Sequence, residues 1–76
     1  MTTYERIREI FNSCSNNQMR DVFFDEVTVA QPEDAVRPYL TGSDVTCERD
    51  ERPDGTVIFD IEASGLRQRV TLTPTD

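Results

Sequence analysis

Apolar residues at the start of the chain recur at helical spacing. Tyr4, Ile7, Ile10, Phe11 and Cys14 form one stripe, and Glu5, Arg6, Arg8, Glu9 and Asn12 take the other side. Thr2 followed by Glu5 has the form of a capping box, in which a hydroxyl accepts one orphan backbone N–H and a carboxylate reaches back to another. The spacing predicts an amphipathic helix from Thr2 to Ser15. Its end is expected at Asn16 or Asn17, because Asn tolerates the left-handed conformation and Ser and Asn side chains bond locally to the backbone. A second capping box, Ser15 with Gln18, offers another register: a short helix carrying Met19, Val22, Phe23 and Val27 on one face.

For residues 21–29, DVFFDEVTV, a strand is preferred over that helix, since the run is rich in β-branched and aromatic residues and ends just before Pro32. Phe23, Asp25, Val27 and Val29 fall on one face and Val22, Phe24, Glu26 and Thr28 on the other, which reads as an edge or partly covered strand. The next segment, QPEDAVRPYLTG, predicts a short second helix: Pro32 suits a first turn, Glu33 and Asp34 suit the positive end of the dipole, and Gly42 stops it. Ala35, Val36, Tyr39 and Leu40 share its apolar stripe, and Pro38 keeps it short or bent.

Clear alternation begins at residue 44. DVTCERDE places Val45 and Cys47 on the inner face, and RPDG is a turn in which Pro53 fixes φ and Gly55 supplies a positive one. TVIFDIEA turns Val57, Phe59, Ile61 and Ala63 inward; after a second turn at Ser64 and Gly65, LRQRVTLT turns Leu66, Val70 and Leu72 inward. These strands make an antiparallel meander whose outer face opposes acids on the central strand to arginines on the last. The whole predicts a single two-layer α+β domain over 1–76, with the N-terminal helix and the short second helix packed on a sheet of three or four strands. A chain this short buries only about 60% of the surface its unfolded form exposes, so deep clefts are not expected.

Charge narrows the function. Fifteen acids oppose eight basic residues, all Arg, with no Lys and no His, for a net charge of −7. Such a surface repels phosphate backbones and anionic headgroups, so no direct nucleic-acid or membrane partner is expected. A GC-rich genome or a high-salt cytoplasm accounts for the Lys-free acidic bias without function; dense carboxylates that attract a basic protein, or imitate a phosphate backbone, account for it with one. The charges in MTTYERIREI argue against a signal peptide, and no apolar run reaches the roughly 18 residues of a membrane span, so a cytoplasmic protein is expected.

Candidate chemistry is sparse. Without His there is no imidazole base or ligand, two cysteines without a CxxC do not complete a metal site, and the three glycines all sit in turns. The adjacent acids Asp25/Glu26, Glu33/Asp34 and Asp50/Glu51 read as solvated surface, and DERPDG lacks the ligand spacing of an EF-hand. No enzyme and no cofactor are expected. The favoured reading is a small acidic accessory or interaction protein that meets a protein partner through Phe23, Phe24, Asp25 and Glu26 on an exposed sheet edge. The alternative is a thiol protein, redox or metal-binding, in which Cys14 on the helix stripe meets Cys47 on the inner face of its strand; against it, Cys14 falls in a last helical turn, where the dipole disfavours a thiolate. A nucleic-acid mimic is a third reading, which the alternation of acids with Arg on the outer sheet face disfavours.

Overall fold

The computed structural model describes residues 1–14, 17–42, 44–63 and 65–75, those at 12–14 and 17–20 by backbone alone. It is a five-stranded antiparallel sheet: β1 (Thr2–Cys14), β2 (Asn17–Val29), β3 (Thr46–Glu51), β4 (Val57–Ala63) and β5 (Leu66–Pro74), in the order β2-β1-β5-β4-β3. The expected α+β architecture is therefore corrected to an almost all-β one. The segment expected to form the N-terminal helix is β1, next to the centre of the sheet, paired with β2 from Thr2↔Val29 to Cys14↔Asn17 and with β5 from Tyr4↔Pro74 to Phe11↔Arg67.

The reason lies in pairing that local spacing does not encode. Arg, Glu and Ile are tolerated in a helix, but as a strand between two neighbours this segment satisfies its backbone on both sides. The proposed capping pair is dissolved, with Thr2 opposite Val29 and Glu5 opposite Glu26. Its end at Asn16 falls outside the described residues, as does the Ser15 partner of the second capping box, while Asn17 opens β2 and Gln18 follows it in the strand. Residues 21–29 belong wholly to β2, an edge strand, which removes the helical alternative.

The short second helix is corrected to two 3-10 turns, Pro32–Ala35 and Arg37–Tyr39, interrupted at Val36 (φ −111, ψ −8). Their bonds run Val36 N–H to Glu33 C=O at 3.2 Å, Tyr39 N–H to Val36 C=O at 2.8 Å and Leu40 N–H to Arg37 C=O at 3.1 Å. Pro38 has no N–H to give the carbonyl four residues back, so the α pattern stops and the tighter one takes over. Even so, Ala35 and Val36 are buried, and Tyr39 and Leu40 pack against the core.

The connection from β2 to β3 thus lies over one face of the sheet and completes the core of Tyr4, Ala35, Val36, Val57, Phe59, Ile61, Val70 and Leu72. In the C-terminal meander, Val57, Phe59, Ile61 and Ala63 are buried and alternate with half-buried or exposed Ile58, Asp60 and Glu62. Arg52 accepts from the Gly55 N–H at 3.0 Å across the first turn, where Gly55 has φ +93, and the Asp54 carboxylate accepts from the Thr56 N–H at 2.9 Å. A Cβ on Gly55 would also stand 3.1 Å from Pro74, so the turn is packed against the end of β5. Arg49 on β3 pairs with Glu33 of the first 3-10 turn and with Glu51, fastening the connection to the far edge.

Leu72 is fully buried, between Arg6 on β1 and Val57 on β4. Leu72→Ala is expected to cost about 3 kcal/mol, as a cavity left in a core that cannot collapse around it. In a domain of this size that is a large share of the total stability, and the urea midpoint measured by circular dichroism is expected to fall accordingly.

Candidate interaction surface on the β1–β2 hairpin

Alternation along β1 directs Tyr4, Arg6, Arg8 and Ile10 to the covered face, and Thr3, Glu5, Ile7, Glu9 and Phe11 to the outer one. Two arginines therefore enter the covered side. Arg6 Nε donates to Asp25 Oδ1 at 2.8 Å, its Nη2 donates to the other oxygen of the same carboxylate, and its Nη1 donates to the Ala35 carbonyl at 2.9 Å. Arg8 Nε donates to the buried Gln68 Oε1 at 2.8 Å, and its guanidinium lies 4.1 Å from the Tyr39 ring centre and 5.9 Å from that of Phe23. The heads find acceptors and aromatic faces: Arg6 meets a carboxylate, and Arg8 meets a neutral amide oxygen and two rings. This network joins β1, β2, β5 and both 3-10 turns.

Of the four residues expected to meet a partner, Asp25 is thus held within the protein. The two hydrogen bonds from Arg6 keep its carboxyl below the ordinary aspartate range, against a smaller opposing effect of burial. Phe23 and Phe24 do not form one cluster. Phe23, 54% exposed, shares the covered side with Arg8, whereas Phe24, 74% exposed, projects from the outer face. Glu26 also stands on the outer face, directly opposite Glu5, and both are exposed.

No layer of described residues covers the outer face. A largely apolar band crosses it: exposed Phe24 stands opposite Ile7, Ile7 opposite Thr71, and Thr71 opposite Ile58, these last three half-buried. Val22, 38% exposed, extends the band along β2. Beyond it the face is charged. Arg69 Nε donates to Asp60 at 3.0 Å, Arg67 stands opposite Glu62, and both arginines lie 5.9 Å from the Phe11 ring centre. An open polar depression of about 150 Å³ lies there, lined in part by Thr46, Glu48, Asp60, Glu62 and Arg67. The sequence reading missed both this band and the arginine network. Ile7 fits a helical stripe in the sequence, and the partners of Arg6 and Arg8 lie up to 60 positions away.

The side chain of Cys14 lies outside the described residues; its backbone closes β1 opposite Asn17. Cys47 is opposite Ile61, which is opposite Gln68, which is opposite Ile10. Cys14 and Cys47 are therefore offset by about 14 Å across three strand spacings and by about 13 Å along the strands. A disulfide needs Cα atoms within about 7 Å, and the ladder does not bring these two together. Cys47 is an exposed free thiol at the sheet edge, yet partial burial, followed by the nearby Asp60 charge, pushes its pKa up. Among the described residues, no three of His, Cys, Asp and Glu gather in a metal-binding arrangement, and no helix is long and apolar enough to cross a membrane.

No family model, curated protein or solved structure matches the chain.

Because the folded Asp25 carboxyl is depressed, its contribution to stability is present above the unfolded value of about 3.9 and is lost as pH falls through and below it. Asp25→Asn is expected to cost about 1 kcal/mol at neutral pH, after allowing for solvent screening of a half-exposed pair, and to flatten that acid limb in urea titrations taken at several pH values. In a Cys14→Ser background, the pH midpoint for alkylation of Cys47 is expected to lie higher in the native protein than in the same chain in urea.

Proposed function

We propose that this chain is a non-catalytic accessory or interaction protein, cytoplasmic in setting, which engages a protein partner through the outer face and free edge of the β1–β2 hairpin. One observation carries the reading: Phe24, the most exposed aromatic side chain described, heads an uncovered apolar band rather than standing alone. Scattered exposed hydrophobics are ordinary, but a contiguous apolar strip with a charged rim is the pattern of an association surface. The net charge of −7 supports a protein over a nucleic acid, since phosphate binding needs a basic patch, and Arg6, Arg8, Arg69 and Arg49 are engaged with Asp25, Gln68, Asp60 and Glu33. Pairing of Arg with acids across the outer face also argues against imitation of a one-signed phosphate backbone.

Phe24→Ser tests the reading with little risk to the fold, because Phe24 is outside the core and on the face opposite to Arg8. The variant is expected to keep its urea midpoint and to lose the stoichiometric partner captured by the wild-type chain from its native lysate, at the salt of its own cytoplasm. A partner retained undiminished by the folded variant would contradict this surface.

A further inference from the structure

The sheet has two open edges, β2 and β3, and they differ. Thr75 donates its N–H to the Thr3 carbonyl at 3.0 Å, so the backbone groups of Thr3 point toward β5. Groups alternate in direction along a strand, so Tyr4, Arg6, Arg8 and Ile10 point theirs toward β2, where they meet Val27, Asp25, Phe23 and Asp21. The N–H and C=O groups of Val22, Phe24, Glu26 and Thr28 therefore face away from the sheet. On the other edge, Arg52 donates to Thr56 at 2.8 Å, and the same alternation turns Cys47, Arg49 and Glu51 outward. That edge is short and charged, with Arg49 tied to Glu33 and Glu51, a form that blunts strand addition. β2 is longer and carries Val22, Phe23 and Phe24 in succession at its middle.

A second feature marks the same edge. Glu26 stands directly opposite Glu5, an arrangement that is unfavourable on a sheet face, and neither meets a cation among the described residues. A cation arriving beside Glu26 would offset that repulsion.

Resting on the interaction reading above, we propose that β2 accepts an extended segment of another protein as a sixth antiparallel strand, and that this segment has an apolar centre flanked by Lys or Arg. Its backbone bonds to the outward groups of Val22, Phe24 and Glu26. Its central side chains lie against Val22 and Phe24 on the outer face and Phe23 on the other, and a basic side chain lies beside Glu26 and Glu5. Main-chain pairing of this kind supplies affinity, while the alternating side chains supply selectivity. A second copy of the chain fits less well, since each copy carries −7.

The test is fluorescence anisotropy with a labelled synthetic peptide, Arg-Lys-Val-Phe-Val-Lys-Arg, added to the full chain at low salt. Saturable binding is expected, weakened about tenfold by Glu26→Lys and by Phe24→Ser, and lost when the peptide's central Phe is replaced by Pro or its basic residues by Glu. No saturable binding, or equal binding of the proline or acidic peptide, would overturn the proposal. So would a concentration-dependent dimer in sedimentation that Phe23→Lys dissolves, because the edge would then belong to a second copy. If the peptide fails while a Phe24-dependent partner is still captured, the strand-addition proposal falls and the interaction reading stands; if capture is also indifferent to Phe24, both fall.

Discussion

The structure depends on the insertion of β1 between β2 and β5. This ladder joins the two ends of the chain, Thr3 to Thr75, and without it the molecule separates into a two-stranded hairpin and a three-stranded meander. A lone hairpin is marginal in water, and the meander alone would lack Tyr4, Ala35 and Val36 over its core residues. Pairing across some 70 positions carries a loop-closure cost that the contacts of the completed sheet must offset.

That insertion also decides where the charges go. Once β1 is a strand, Arg6 and Arg8 must both face the covered side, and each needs an acceptor there. Asp25, the Ala35 carbonyl, Gln68 and the Tyr39 ring meet the need, and in doing so they hold the β2–β3 connection on the sheet. The consequence for function is indirect. Among the described residues the covering material lies on one side of the sheet, so on the opposite face the apolar band stays open, and β2 stands at the edge of the strand order. The surface proposed for a partner is what remains after the core has been closed.

Much of the meander was legible in the sequence. The alternation of Val57, Phe59, Ile61 and Ala63, the turn at Pro53 and Gly55, and the opposition of Asp60 to Arg69 all follow from period two and turn chemistry, which are local. The edge character of residues 21–29 was visible in the acids on both of its faces. Residues 4–14 were not legible, because Tyr4, Ile7, Ile10 and Phe11 satisfy a helical stripe while splitting evenly between the two faces of a strand. Period two was hidden by arginines on the inner face, and what makes arginine acceptable there comes from β2, β5 and the 3-10 turns. At the surface, Phe23 and Phe24 were legible as exposed aromatics. Their opposite sides follow from the alternation of a strand, but that Ile7, Thr71 and Ile58 continue the line of Phe24 depends on register, which only the assembled sheet defines.

The most direct test of this account is the pattern of cross-strand nuclear Overhauser contacts made by β1 in solution. The register places Arg6 opposite Leu72 and Arg8 opposite Val70 in pairs that do not exchange hydrogen bonds, and likewise Glu5 opposite Glu26 and Ile7 opposite Phe24. In such pairs the α-hydrogens face one another closely, so strong Hα–Hα contacts are expected on both sides of β1. Sequential contacts between residues three apart over 4–14, with helical carbon shifts, would contradict the inserted strand and the surface that depends on it.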